Sequence, residues 1–337
     1  MKAVIRAIAY HLPEQQLDNE RLAAEYPDWT VEKIQAKTGI RSRRIAGPDE
    51  CASDLGVAAC RKLFARGVCA PGDIDFILLC TQSPDHFLPT TACLMQDRLG
   101  LPTSAGALDF NLGCSGYVYG LGLAQGLIET GQAGSVLLVT AETYSKHIHA
   151  GDRSVRTLFG DAAAATLVSA GEGAGMGPFV YGTDGRGGGN LIVPSGGMRR
   201  PRTAATAVVQ TDDQGNARSA DHLFMDGPEI FTFTLKAVPA LVSATLKKAD
   251  ATIGDVDFFV FHQANQYMLE SLRRKIGIPK EKFLTSFENC GNTVSSTIPI
   301  VLADKAEQGV LRPGHRLMLV GFGVGYSWAA CLLRWHD

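Results

Sequence analysis

Three side chains in this chain are suited to acyl chemistry: Cys114, His262 and Asn292. Cys114 stands in Asn111-Leu-Gly-Cys-Ser-Gly116, where small neighbours leave room for an incoming acyl group. A free thiol has a pKa of about 8.5, and a helix start can lower it to about 7 or below. The turn before the apolar stretch 115–129 therefore suits a thiolate nucleophile; an inert buried cysteine is the competing reading. His262, in Phe261-His-Gln-Ala-Asn265, follows an apolar run. There an imidazole could donate to a developing oxyanion, or serve only as a satisfied structural group. Asn292, in Asn289-Cys-Gly-Asn-Thr-Val294, either caps the helix that follows or turns its amide inward. The turn Gly321-Phe-Gly-Val-Gly325 could aim the N–H groups of Gly323, Val324 and Gly325 at an oxyanion. A plain hairpin fits it too, since the residues after it read as a returning strand.

Positioning these groups falls to short apolar runs at Ile74–Cys80, Val136–Ala141, Ala162–Val168, Val256–His262 and Arg316–Gly321. They read as buried strands alternating with helical stretches such as 115–129 and 265–276, which argues a layered α/β fold. An internal repeat sharpens that reading. Gly72-Asp-Ile-Asp-Phe-Ile-Leu-Leu-Cys80 resembles Gly254-Asp-Val-Asp-Phe-Phe-Val-Phe-His262, an offset of 182, and Gly134-Ser-Val-Leu-Leu-Val139 resembles the run from Gly314 at an offset of 180. Between each pair sits a strand-to-turn segment, carrying Cys114 in one case and Asn292 in the other. The expectation is two pseudo-twofold-related halves, 1–170 with the cysteine and 171–337 with the histidine and asparagine. Cys114, His262 and Asn292 should converge near their axis. An excursion at about 182–226 interrupts the second half and could form a flap over the site.

Composition removes other classes. The chain has 337 residues, 45% hydrophobic and 20% charged, so disorder is excluded. Its net charge of −2 does not suit a nucleic-acid backbone. No uncharged apolar run reaches the length of a membrane span. The eight cysteines include no CxxC pair and no secretory leader precedes them, so reduced thiols in the cytoplasm and no metal centre are expected. Gly120-x-Gly-x-x-x-Gly126 lacks the context of a dinucleotide fingerprint and reads as helix packing. His147-Ile-His149 has too few companions for a metal, and Gly185-Arg-Gly-Gly-Gly189 reads as a loop.

The order Gly113-Cys114-Ser-Gly, Phe159-Gly-Asp161, His222-Leu-Phe-Met-Asp-Gly227, His262-Gln-Ala-Asn265, Gly291-Asn292-Thr and Gly321-Phe-Gly-x-Gly325 resembles the thiolase superfamily, specifically the β-ketoacyl-acyl-carrier-protein synthase III family. The resemblance implies a five-layer α/β/α/β/α fold, a homodimer and no cofactor beyond the CoA and phosphopantetheine thioesters used as substrates. It implies that Cys114 takes an acyl group from acyl-CoA, and that His262 and Asn292 assist decarboxylation of a malonyl thioester on acyl carrier protein or CoA. The resulting enolate then attacks the acyl-cysteine. By the same resemblance Lys37, Thr38, Arg153 and Asn265 contact CoA or pantetheine, Phe87 and Leu88 rim the acyl pocket, and Arg274 and Lys275 help dock the carrier protein.

Departures from the family pattern are visible. Lys33 stands where a CoA-stacking tryptophan is usual, Lys37 replaces an arginine, Tyr267 replaces another, and Val324 replaces a glycine. They suggest a specialised primer or acceptor. Two rival readings share these residues: transfer of the acyl group to a hydroxyl or amine without condensation, and a non-catalytic assembly role.

Overall fold

The computed structural model describes residues 1–172 and 175–336. Its strands are apolar on both faces. Ile77 and Leu79 turn to one side and Leu78 to the other, and all three are buried. A strand covered on both sides needs such a continuous run, which is why the runs were legible.

The first sheet holds β1 (Lys2–His11), β2 (Phe76–Cys80), β3 (Gly106–Phe110), β4 (Ser135–Glu142) and β5 (Ala162–Gly171), in the order β1-β5-β4-β2-β3. The second holds β6 (Met176–Thr183), β7 (Phe258–Phe261), β8 (Phe283–Leu284), β9 (Arg316–Gly323) and β10 (Ser327–Arg334), in the order β6-β10-β9-β7-β8. Each sheet has two antiparallel pairings followed by two parallel ones, in the same sequence. Helices recur at matching places: α1 (Ala52–Phe64), α2 (Thr91–Leu99) and α3 (Gly116–Glu129), then α4 (Gly227–Lys248), α5 (Gln266–Ile276) and α6 (Thr297–Glu307).

Helices α3 and α6 lie between the sheets, in a core that includes Leu121, Leu138, Val301 and Leu319. Helices α1 and α2 cover the outer face of the first sheet through Leu55, Leu63 and Met95. Helices α4 and α5 cover the second through Leu241, Leu269 and Leu272. The result is the five-layer α/β/α/β/α arrangement expected. Among the described residues α4 alone is long and apolar enough to span a membrane by length and composition, and here it packs on the second sheet. All eight cysteines are free thiols.

The glycines of α3 are packing residues, as expected. A Cβ on Gly120 would lie 2.5 Å from Leu138 of the first sheet, and one on Gly122 would lie 2.0 Å from the Tyr181 hydroxyl of the second. Gly126 has open space around it.

The excursion is two small ribbons, 191–192 with 224–225 and 210–211 with 217–218. Arg218 joins it to the body by bonding Asp152 at 3.0 Å and braces its own ribbon through Asp212 at 3.1 Å. Its base supplies Leu191 and Met225 to the cavity described below, so it walls the site from the side.

The two halves meet tightly where β9 passes the Cys114 turn. A Cβ on Gly321 would stand 2.8 Å from Ser115 Cα and 2.9 Å from the Cys114 carbonyl oxygen. Both are backbone atoms that cannot swing aside. Gly321→Ala should therefore cost about 1–3 kcal/mol, the range for overpacking a tight core; a urea midpoint unchanged from wild type would contradict this packing.

Candidate active site

Cys114, His262 and Asn292 line one cavity of about 370 Å³, together with Asn265, Gly323 and a mainly apolar wall of Leu158, Phe159, Leu191, Met225, Ile230 and Phe231. A larger groove of about 590 Å³ lies along α5 and β8 and contains none of the three.

Cys114 reaches the cavity between the end of β3 and the start of α3, whose cap is Ser115. Strand β9 lies against it: a Cβ on Gly323 would sit 3.0 Å from the Cys114 Sγ. The thiol does not follow the lowering expected of a helix start. Burial, then the nearby Glu142 carboxylate, push it up to about 12, with backbone hydrogen bonding only partly opposing them. Glu142 is itself fully buried and accepts from Gln82 N–H, the Ser83 hydroxyl and the Ser295 hydroxyl. Burial raises its carboxyl to about 8.

His262 follows β7 directly and its N–H is held by the Val320 carbonyl of β9. Burial pushes its imidazole down to about 3, so the ring is neutral at ordinary pH. Its Nδ1 lies 2.8 Å from the Thr297 hydroxyl. Asn292 does not cap α6, which begins five residues later. Its Oδ1 accepts instead from the Val294 N–H at 3.0 Å, which leaves the Nδ2 group free to donate. Val294 pays for this turn with a φ of +55°, a left-handed conformation costing a β-branched residue about 1–3 kcal/mol.

Other expected residues divide. Asn265 caps α5 through Oδ1 to Met268 N–H at 2.9 Å while lining the cavity. Tyr267 stands at the cavity wall, stacked on Phe231 and 65% exposed. Val324 packs into the apolar cluster around Cys114, and Gly325 takes a φ of +135° beyond the cavity. Thr38 is buried and spends its hydroxyl on the Ile34 carbonyl and Ile40 N–H, which identifies a structural role. Phe87 and Leu88 are 80% and 82% exposed and lie outside this cavity. Arg274 and Lys275 are exposed on α5, and Arg274 is engaged with Glu270 at 2.6 Å. His147 faces the Gln82 carbonyl and His149 packs edge-on to His222; among the described residues no His/Cys/Asp/Glu cluster could hold a metal ion.

One residue was missed. Trp29, four positions before Lys33, gathers three cationic side chains around its ring. Lys37 lies 4.7 Å from its ring centre, Lys33 5.4 Å and Arg153 5.7 Å. Trp29 lies just before the helix Val31–Thr38, whose Lys33 and Lys37 fall on one face by their spacing of four and meet its ring. Arg153 also donates to the Gln214 carbonyl and pairs with Asp28 at 3.8 Å.

Comparison with known proteins settles the kinship. Residues 108–185 match the 3-oxoacyl-[acyl-carrier-protein (ACP)] synthase III family and residues 246–335 match its C-terminal family. The β-ketoacyl-[acyl-carrier-protein] synthase III of Caldanaerobacter subterraneus is 35% identical over 326 residues, covering 96% of this chain and 95% of its own. The chain belongs to the 3-oxoacyl-[acyl-carrier-protein] synthase III family. A crystal structure of a 3-oxoacyl-(acyl-carrier-protein) synthase III is 56% identical, with a TM-score of 0.98 over 99% of this chain and 100% of that one. The 3-oxoacyl-(acyl-carrier protein) synthase of Burkholderia xenovorans is 40% identical, with a TM-score of 0.92 over 99% of this chain and 94% of its own. Membership makes this chain a condensing enzyme of the acyltransferase class.

Because burial outweighs the helix start, Cys114 rests as a thiol. Its alkylation by iodoacetamide, followed by mass spectrometry, should keep accelerating as pH rises past 9. A plateau reached below pH 8 would show the opposite balance.

Proposed function

We propose that this enzyme transfers an acyl group from acyl-CoA to Cys114 and condenses it with a malonyl unit carried as a thioester on acyl carrier protein. The observation carrying this reading is the single cavity shared by Cys114, His262 and Asn292. The thiol attacks the acyl thioester carbonyl, its proton leaves with the CoA sulfur, and an acyl-cysteine remains. The malonyl thioester then enters and loses carbon dioxide. The enolate oxygen is held by the neutral imidazole of His262 and the Asn292 Nδ2 group. The enolate carbon attacks the acyl carbonyl, and the N–H of Cys114 with one from the Gly321–Gly325 turn receives the tetrahedral oxyanion. Cys114 departs as the β-ketoacyl thioester forms. Each oxyanion donor lowers the barrier by about 3 kcal/mol.

Further parts of the reading rest on particular residues. Trp29, with Lys37 and Arg153 beside it, offers a stacking face and positive charge to the nucleotide end of CoA. Arg274 and Lys275 meet the acidic carrier protein. The division into halves at about residue 170 follows the two sheets. A homodimer is supported by β3, an edge strand paired on one side only. Asp109 on that strand anchors the end of the Phe87–Leu88 loop by accepting from Thr91 and Ala92 N–H at 2.7 Å. Exposed and outside their own cavity, Phe87 and Leu88 can rim an acyl site only across such an interface. Tyr267 and Val324, which depart from the family pattern, favour a specialised primer or acceptor.

Cys114→Ala should abolish acyl transfer in intact-mass measurements over mixed acyl-CoAs. His262→Ala and Asn292→Ala should spare acylation while suppressing carbon dioxide release from labelled malonyl thioester by about 100-fold or more. Acylation without any carbon dioxide release by the wild type would instead indicate transfer to a hydroxyl or amine. Trp29→Ala should raise KM for acyl-CoA and leave acyl-pantetheine turnover unchanged; equal effects on both would remove the nucleotide role.

A further inference from the structure

A neutral imidazole carries one proton on one of two nitrogens, and the neighbours decide which. The question matters at His262. Its Nδ1 is turned away to Thr297 of α6, so Nε2 is the nitrogen left for the cavity. To hold an enolate oxygen beside Asn292 Nδ2, Nε2 must bear the proton. Asn292 has no such ambiguity, because the Val294 N–H has already claimed its oxygen.

The Thr297 hydroxyl has a single proton and two acceptors within reach. It lies 2.8 Å from His262 Nδ1 and 3.1 Å from the Val294 carbonyl oxygen. Donation to Nδ1 forces the imidazole proton onto Nε2. Donation to Val294 would require Nδ1–H to donate to the hydroxyl, leaving Nε2 a bare acceptor. The Val294 carbonyl also faces the ring and favours that second state. The 2.8 Å contact fits either direction, and the need for two donors pointing at one enolate oxygen decides between them.

We infer that Thr297 is the positioning residue that sets the His262 tautomer: its hydroxyl donates to Nδ1, so that Nε2–H faces the cavity beside Asn292 Nδ2. Val294 completes the device, because its N–H aims the Asn292 amide while its carbonyl is the competing acceptor for the Thr297 proton. One residue in a left-handed turn thereby faces both members of the donor pair. This inference rests on the condensation reading above.

The test uses the full-length enzyme with ¹⁵N-labelled histidine, the His262 signal being assigned by its loss in His262→Ala. Wild type should show His262 Nδ1 with the shift of an unprotonated, pyridine-type nitrogen. Thr297→Val, which keeps the shape and removes the hydroxyl, should move the proton to Nδ1. It should also slow malonyl decarboxylation by about 100-fold, the effect of losing one oxyanion donor, with acylation of Cys114 little changed. Thr297→Ser should restore both the shift and the rate. A protonated Nδ1 in the wild type overturns the inference even if Thr297→Val fails to fold, and so does decarboxylation at the wild-type rate in a folded Thr297→Val. If wild type releases no carbon dioxide, the condensation reading fails while the tautomer is still read directly.

Discussion

Asn292 is held by the other half of the chain through its backbone. Its N–H donates to the Leu158 carbonyl at 2.9 Å, and its carbonyl accepts from Gly160 N–H at 3.0 Å. The two segments approach so closely that no side chain fits between them. A Cβ on Gly160 would stand 2.2 Å from the Cys290 carbonyl oxygen, and one on Gly291 would stand 2.9 Å from that of Leu158. Asp161, next in line, is buried and fastens the same segment by accepting from Ala46 and Ser145 N–H. Everything in the cavity depends on this seam. Cys114 belongs to one half and its two neutral partners to the other, and a displacement of an ångström would undo their common focus.

The electrostatics follow from the same burial. The three groups sit among Phe159, Leu191 and other apolar side chains, where a charge at rest is disfavoured. Thiol and imidazole are accordingly neutral in the free enzyme. In the reaction proposed, charge appears only as substrate reacts, and it meets donors whose directions are already set. The buried Glu142 acts in the same sense, since any negative charge on it opposes a standing thiolate.

Much of this was legible in the sequence, for definite reasons. Buried strands need unbroken apolar runs, so Phe76–Cys80 and Phe258–Phe261 announced themselves and their likeness exposed the repeat. The edge strand Phe283–Leu284 is too short to leave a pattern. The direction of the Cys114 shift was misjudged because the helix start is local, whereas the burial opposing it comes from residues distant in the chain, Gly323 among them. Trp29 was overlooked because it precedes the helix Val31–Thr38, so no periodicity marks it as a neighbour of Lys33 and Lys37. Thr297 carries no signal of its own in Ser295-Ser-Thr297, because only the fold brings the ring of His262 against it.

The repeat is unequal at its margins, and that inequality has a bearing on assembly. The outer strand of the first sheet runs five residues, Gly106–Phe110, and its counterpart in the second only two, Phe283–Leu284. The opposite rims stay long in both halves, Lys2–His11 in the first sheet and Met176–Thr183 in the second, so the duplication has diverged at one margin only. There the first half keeps a strand with enough unpaired backbone groups to ladder with another chain, and the second half has been trimmed below that length.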